Sequence, residues 1–136
     1  MGGENEDAIY ALALVNMIFR GDGKSGLQDG SCFDFEFWTR DNEIFYQIKD
    51  KKVLDGAKKP FTKVLMNPPF KIPVQPESDF VNHAFEQCQK GAHLFAVLPY
   101  INVEGVEYSS WREETLKRHT LKGVVQWMKS SNYYPN

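Results

Sequence analysis

The hydrophobic positions of the first twenty residues predict a long helix. Between Asn5 and Arg20, apolar side chains fall on more than one helical face, so we expect this helix to be buried. Asn5 or Asp7 can cap its start, and Gly21 can end it before the turn-rich stretch 22–26. A helix this apolar packs against a sheet. Because little chain precedes it, we expect that an upstream element has been removed.

The rest of the chain alternates between strand and helix patterns. Residues 27–37 predict a short strand or extended segment, residues 42–52 fit either a helix or a strand, and the five lysines within 49–59 predict a solvated loop or surface helix. The clearer patterns predict strand Phe61–Met66, helix Glu77–Lys90 with Gly91 as its C-cap, strand His93–Leu98, helix Trp111–His119 capped by Ser109 or Ser110, and strand Gly123–Met128. This order predicts an α/β fold with right-handed crossovers and a parallel sheet covered on both faces.

Composition limits the classes of protein that the chain can be. Its 136 residues are 42% hydrophobic and 25% charged, which is typical of one globular domain. No apolar run is long enough to span a membrane, and two cysteines without a secretory leader fit a reducing cytoplasm. The formal net charge of −2 excludes the basic footprint of an autonomous nucleic-acid binder, so any attraction to DNA must be supplied elsewhere.

Several chemically capable side chains favour structural roles. His83, His93 and His119 lie on separate predicted elements without ligand spacing, so no metal site is predicted. Cys32 and Cys88 fit buried small apolar side chains better than reactive thiols. Some aromatic side chains are able to stack on bases, although core positions account for most residues of this kind; they are Trp38, Tyr46, Tyr100, Trp111 and Trp127.

The strongest chemical signal follows the predicted strand Phe61–Met66. Ligands of open parallel sheets bind beyond the carboxyl ends of the strands, where this chain has Asn67-Pro68-Pro69-Phe70. Pro68 favours extended backbone at Asn67, and the two prolines remove two backbone donors, which leaves acceptors. The Asn67 side-chain carbonyl and the Pro68 backbone carbonyl can then converge on one amino group while Phe70 offers a flat face. This suits an exocyclic NH2 on a planar substrate, although the same residues fit an ordinary strand-ending turn.

These residues carry a resemblance to a known family. Val64 to Phe70 resembles the catalytic Asn-Pro-Pro-Phe signature of the S-adenosylmethionine-dependent N6-adenine DNA methylases, in particular the modification subunit of type I restriction systems. Further similar segments are Tyr10–Met17 with Arg20-Gly21, Gly30–Phe33, Phe95–Pro99 with Gly105, Trp111-Arg112, Leu121 and Val124-Val125. The resemblance covers most of the chain and implies a Rossmann-like methyltransferase sheet with helices on both faces.

The resemblance also implies the reaction and its site. Carried over by position, Asn67 and Pro68 would hold the amino group of an adenine flipped out of the duplex, and Phe70 would stack on it. Pro69 belongs to the same catalytic signature. The family methylates DNA and works with specificity and restriction subunits in the cytoplasm. The sequence thus predicts an adenine-N6 methyltransferase of a restriction-modification system.

The cofactor implied by the resemblance is S-adenosyl-L-methionine. Glu4 matches the acidic residue that binds the cofactor ribose. Ser31 and Cys32 match the segment that contacts the cofactor adenine. The family has an acidic residue in that segment, and Asp29 or Asp34 is the substitute in this chain. The family's glycine-rich loop is absent, because Gly21-Asp22-Gly23 follows a helix rather than a strand. We therefore expect poor or no cofactor binding.

Together these features predict that residues 1–136 form the middle of a methylase catalytic domain, without its first and last strands and inactive alone. Exposed strand edges would favour a homodimer. Two alternatives stay open. One is a protein glutamine-N5 methyltransferase, which uses a similar element but typically has Tyr where this chain has Phe70. The other is a non-catalytic, degenerate methylase domain that acts as an assembly module.

Overall fold

The chain divides into two compact units, residues 1–59 and 60–136. The computed structural model describes residues 2–21, 30–70 and 72–126. Its mixture of helices and strands agrees with the predicted α/β class. The Rossmann-like arrangement and the assignment of the whole chain to one partial methyltransferase domain stay predictions.

The first unit begins with helix α1, Gly2–Phe19, close to its predicted position. A half-buried stripe at helical spacing consists of Tyr10, Ala13, Leu14 and Met17. Other apolar side chains of α1 are 59% to 86% exposed, namely Ile9, Leu12, Ile18 and Phe19. The expectation of a buried helix is therefore wrong for the described residues, because no described element covers this second apolar face.

A β-hairpin completes the regular structure of the first unit. Strands β1 (Phe35–Arg40) and β2 (Glu43–Ile48) pair antiparallel. Asp41 and Asn42 join them with φ angles of 54° and 64°, a left-handed conformation that two-residue hairpin turns require and that Asp and Asn tolerate. Of the two predictions for residues 42–52, the strand is correct for residues 43–48, and residues 49–52 form neither a helix nor a strand.

The segments that flank the hairpin are irregular. A short 3₁₀ helix, Cys32–Asp34, leads into β1, so the predicted extended segment is correct only near its end, and residues 27–29 lie outside the described residues. Residues 49–59 form the predicted loop and return to β1, where the Thr39 amide donates to the Lys58 carbonyl at 2.7 Å. The Lys59 ammonium lies 3.7 Å from the centre of the Trp38 ring.

The second unit is built on two parallel strands joined through a helix. Strand β3 (Phe61–Met66) confirms its prediction, and helix α2 (Glu77–Glu86) leads to strand β4 (Cys88–Ala96). The predicted continuation of α2 to Lys90 is wrong, because β4 already pairs with β3 at Cys88. The register shifts within β4, and Gly91, with φ of 82°, lies in this irregular stretch instead of capping a helix.

The two faces of this small sheet differ. Helix α2 packs against β4 on one face, where Val64, Met66, Leu94 and Ala96 are half-buried. On the other face Leu65 and Phe95 are paired in register and are 82% and 68% exposed. The described residues thus place a helix on one face, and a second covering layer stays a prediction.

Two further helices follow β4. They are α3 (Tyr100–Glu104) and α4 (Ser109–Arg118), with a 3₁₀ turn, Val106–Tyr108, between them. Tyr108 is the N-cap residue of α4 and makes no side-chain cap, so the prediction of capping by Ser109 or Ser110 is wrong. Among the helices of residues 2–21, 30–70 and 72–126, none has the length and apolar character needed to cross a membrane.

The last predicted strand, Gly123–Met128, is not formed over its described part. Residues 121–126 have no regular structure, and Val125 is 97% exposed; residues 127–128 lie outside the described residues. A strand is stabilised by hydrogen bonds to a neighbouring strand, and no described strand lies beside this segment. The parallel sheet of the described residues consequently has two strands instead of three.

Candidate functional site

The Asn-Pro-Pro-Phe segment, residues 67–70, leaves the sheet at the carboxyl end of β3. The last paired residues of the sheet are Met66 and Ala96, and the Val97 amide donates to the Met66 carbonyl at 3.0 Å. The segment follows directly, at the edge where both parallel strands end. This edge is where open α/β sheets bind ligands.

Within the segment, one side chain is buried and two are accessible to solvent. Pro68 is buried, whereas Asn67 is exposed and Phe70 is 48% exposed. No described residue hydrogen-bonds to the Asn67 side-chain amide. The segment therefore presents an exposed amide group and an open aromatic ring from an anchored, proline-stiffened turn.

The neighbouring strand leaves the sheet in a similar way. Val97-Leu98-Pro99 follows β4, and Pro99 is the N-cap residue of α3. Tyr100, 54% exposed, begins α3 and donates its hydroxyl proton to the Glu104 carboxylate one turn later. This hydrogen bond, with smaller effects of desolvation and of the carboxylate charge, raises the pKa of Tyr100 above its ordinary value.

Arg112 of α4 holds the end of α3 in place. Its Nη1 donates to the backbone carbonyls of Asn102, at 3.1 Å, and Gly105, at 2.8 Å. A Cβ at Gly105 would overlap the carbonyl oxygen and Cγ1 of Ile101, which explains glycine at this position. A charged donor shared by two carbonyls therefore fixes the turn between α3 and α4.

Asn102 is an unusual residue in this turn. It is 0% exposed, and neither Nδ2 nor Oδ1 of its side chain has a hydrogen-bond partner among the described residues. Leaving a buried polar group unpaired costs about 1 to 3 kcal/mol, and such groups are rare in folded proteins. The burial of Asn102 could not be predicted from the sequence, because a polar residue in a short helix carries no signal of burial.

Polar contacts also connect α2 with the elements that follow β4. Trp111 Nε1 donates to Asn82 Oδ1 at 2.9 Å, and the Tyr108 hydroxyl donates to the buried Glu77 carboxylate at 3.4 Å. Glu77 begins α2, so its contact lies toward the end of the helix that is nearest the carboxyl end of β3. These bonds brace the edge that carries the Asn-Pro-Pro-Phe segment.

A shallow concave region lies between α2 and α4 and is separate from this edge. It has a volume of about 310 Å³ and is lined by Asn82, Phe85, Glu86, Thr115, Arg118 and His119. The Phe85 and His119 rings stack at 3.8 Å between centroids. Because Phe85 and Glu86 end α2, this region lies at the far end of the helix from the Asn-Pro-Pro-Phe segment.

The predicted cofactor residues lie in the first unit. Ser31 is exposed and caps the 3₁₀ helix, since its Oγ accepts from the Phe33 amide at 3.3 Å. Cys32 is exposed, which contradicts its predicted burial. Desolvation of the thiol raises its pKa, opposed by a backbone hydrogen bond and aided by the Asp34 carboxylate. The thiol is therefore neutral near pH 7.

These residues do not fit an S-adenosylmethionine site by themselves. Glu4 lies in the first turns of α1, its side chain is outside the described part of the chain, and Asp29 is outside the described residues altogether. The described parallel strands are followed by Asn67-Pro68-Pro69 and Val97-Leu98-Pro99, and neither exit contains a glycine to let a cofactor approach the backbone. We therefore derive no reaction step through this cofactor.

The remaining candidate side chains have structural surroundings. The Cys88 Sγ donates to the Ala84 carbonyl at 3.2 Å, and burial raises the pKa of this half-buried thiol. Across the described ranges, no three His, Cys, Asp or Glu side chains gather in a group that could hold a metal ion.

Comparison with known proteins shows a distant relationship. Over 132 residues the chain is 28% identical to a protein of Heyndrickxia coagulans named type II restriction enzyme and methyltransferase RM.BcgI. The alignment covers 91% of this chain and 18% of that protein, so the chain spans less than a fifth of the length of its relative. No protein-family description matches the chain, and no solved structure does. The chain is thus distantly related to a methyltransferase of restriction and modification.

Proposed function

We propose that this chain is part of a DNA adenine-N6 methyltransferase of a restriction-modification system and that its Asn-Pro-Pro-Phe segment binds the amino group of a flipped adenine. The observation that carries the proposal is the position of this segment at the carboxyl end of the first of two parallel strands. Pro68 is buried there while Asn67 and Phe70 stay open to a ligand. The distant relationship to a restriction enzyme and methyltransferase supports the same reaction class.

The acceptors of the segment suit the amino group of adenine. An amino nitrogen conjugated to a purine ring is a weak nucleophile because its lone pair is delocalised into the ring. Two acceptors, the Asn67 amide oxygen and the Pro68 carbonyl, bind its two hydrogens and favour a pyramidal nitrogen whose lone pair points away from the ring. The contribution of these groups is positioning and electrostatic orientation rather than covalent catalysis.

Phe70 supplies the second requirement, a surface for an unstacked base. The N6 atom cannot be reached inside a stacked duplex, so the base must leave the helix at a cost of a few kcal/mol. Stacking on an aromatic ring contributes about 1 to 3 kcal/mol per base and offsets much of this cost. The 48% exposure of Phe70 leaves its ring open for that contact.

The methyl donor of the proposed reaction is S-adenosylmethionine, which supplies an electrophilic methyl group on a sulfonium. Glu4, Ser31 and Cys32 do not form a complete site for it, so we propose that the isolated chain is inactive. DNA, specificity and restriction subunits are the proposed partners. Isothermal titration with S-adenosylmethionine tests this part, and micromolar binding by the isolated chain would contradict it.

The amino-group site can be tested without the cofactor. Isotope-labelled chain is titrated by NMR with adenosine and with purine riboside, which has the same ring system but lacks the amino group. We expect millimolar binding that shifts the Asn67 side-chain amide and is tighter for adenosine. Asn67→Ala should weaken adenosine binding about 2- to 10-fold, the worth of one hydrogen bond, and leave purine riboside unchanged.

The control is Asn42→Ala, which removes an exposed amide from the hairpin turn of the first unit. It should bind both nucleosides as the unmodified chain does. Equal affinity for the two nucleosides, or no shift at Asn67, would sink the proposal. Preference for a glutamine-containing peptide over adenosine would instead support the glutamine-N5 alternative.

A further inference from the structure

A second aromatic residue, Tyr100, follows the neighbouring strand at the same distance along the chain as Phe70 follows β3. The final pair of the sheet is Met66 and Ala96, and Phe70 and Tyr100 are each the fourth residue after it. Because parallel strands end at the same edge, the two chain exits start about 4.8 Å apart. Both rings are about half exposed, Phe70 by 48% and Tyr100 by 54%.

Both exits are stiffened before they reach these rings. Pro68 and Pro69 precede Phe70, and Pro99 immediately precedes Tyr100, so the backbone φ angle is restricted on each side. A planar ring held between two others needs them about 7 Å apart, twice an ordinary contact distance of about 3.5 Å. Four residues of diverging chain on each side are enough to open the exits by this amount.

The position of Tyr100 is further restricted by hydrogen bonds within α3 and from α4. Its hydroxyl is bound to Glu104, and the α3 turn that carries it is fixed by the two hydrogen bonds from Arg112 to the Asn102 and Gly105 carbonyls. The fold thus holds an accessible aromatic ring on a turn that these hydrogen bonds fix. Rigid aromatic rings contribute binding energy at a low entropic cost.

We propose that Tyr100 forms the second wall of the base-binding site, so that a planar base held by Asn67 and Pro68 lies between the rings of Phe70 and Tyr100. This inference rests on the proposed function, because it assigns a further binding residue to the same site. Tyr100 contributes through its ring face and is indifferent to the amino group of the base. Asn67, in contrast, acts only on that group.

This difference defines the experiment, which uses the same NMR titrations of the 136-residue chain with adenosine and purine riboside. Tyr100→Ala should weaken the binding of both nucleosides by the same factor, about 5- to 100-fold, as expected for the loss of one stacking surface. Tyr100→Phe keeps the ring and should stay within about threefold of the original affinity. Ring-current shifts of the purine protons should diminish in Tyr100→Ala and persist in Tyr100→Phe.

Phe95→Ala is the matched control, because Phe95 is an exposed aromatic residue of β4 that points to the sheet face away from α2. It should leave both affinities unchanged. If Asn67→Ala shows its amino-specific effect but Tyr100→Ala binds normally, the inference about Tyr100 is wrong and the proposed function stands. If neither nucleoside shifts Asn67 or Tyr100 in any variant, both fail together.

Discussion

The residue scale is where the chemistry of this chain is concentrated. Asn67 offers an amide oxygen that no described residue uses, and Pro68 is buried next to it. Tyr100, by contrast, donates its hydroxyl proton to Glu104, and its side chain is 54% exposed. Among the described residues, the Asn67 amide has no hydrogen-bond partner whereas the Tyr100 hydroxyl has one, which is why we assign amino-group recognition to Asn67 and stacking to Tyr100.

The contact of Tyr100 with Glu104 predicts a titration. The Glu104 carboxylate accepts a hydrogen bond from the protonated phenol, so the pKa of Tyr100 lies above its ordinary value. The stabilisation from this hydrogen bond is fully present at pH values below the ordinary pKa of tyrosine. It is lost as the pH rises through the raised pKa of Tyr100. Glu104→Gln should lower the pKa of Tyr100, seen as an earlier rise of phenolate absorbance, and Tyr100→Phe should remove this component. Glu107→Gln is the control and should not alter the curve, and an unchanged curve in Glu104→Gln would refute the prediction.

At the scale of elements, the βαβ unit depends on polar bracing as much as on apolar packing. Val81 and Ala84 are the buried apolar residues of α2, whereas Glu77, Ser78 and His83 on the same helix are buried polar ones. The helix α4 contacts this helix through Trp111, whose ring nitrogen binds Asn82. Directional bonds therefore set the position of α4, and through Arg112 the position of α3.

Arg112 gives the element-scale prediction. Arg112→Met should lower the free energy of unfolding by about 2 to 3 kcal/mol, because it leaves two carbonyls without their charged donor, one of them on the fully buried Asn102. Urea unfolding followed by circular dichroism measures this change. Lys117→Met on the same helix removes exposed ion pairs to Glu113 and Glu114 and should cost less than about 1 kcal/mol. Equal losses in both variants would mean that the Arg112 bonds do not hold the turn.

At the scale of the whole molecule, apolar surface remains exposed on both compact units. Helix α1 exposes Ile9, Leu12 and Phe19, and the sheet of the second unit exposes Leu65 and Phe95 on the face away from α2. Large exposed apolar patches are typical of surfaces that bind another protein, a membrane or a ligand. The restriction enzyme and methyltransferase that matches this chain is more than five times as long as the aligned part. The predicted homodimer stays a prediction.

The sheet face predicts a measurable surface property. The double variant Leu65→Ser with Phe95→Ser should bind markedly less of an apolar fluorescent dye such as anilinonaphthalene sulfonate, because it removes the paired apolar side chains of this face. Lys63→Ser with His93→Ser is the matched control, since this exposed pair lies two register positions away on the same strands. It should leave dye fluorescence unchanged. Equal fluorescence in all three proteins would show that this face is covered in solution.

Local sequence patterns determined much of what the structure contains. Strand Phe61–Met66 follows from β-branched and aromatic residues stopped by two prolines, and the start of α2 follows from apolar residues at helical spacing. The position of the Asn-Pro-Pro-Phe segment at the end of a parallel strand could also be predicted, because prolines end a strand wherever they occur. The strand, the start of the helix and the proline-containing exit depend on interactions between residues that are close in sequence, so they could be predicted without the tertiary structure.

Tertiary structure alone decided the features that depend on distant neighbours. Residues 43–48 became a strand because a two-residue turn pairs them with β1. Residues 123–126 did not, because no described strand lies beside them. The burial of Asn102 and the two carbonyls bound by Arg112 depend on how α4 packs, which no spacing encodes. The sequence by itself therefore determined which residues carry the chemistry at the end of β3. The fold decided that Tyr100 follows the last paired residue of the neighbouring strand by four positions, as Phe70 does on β3.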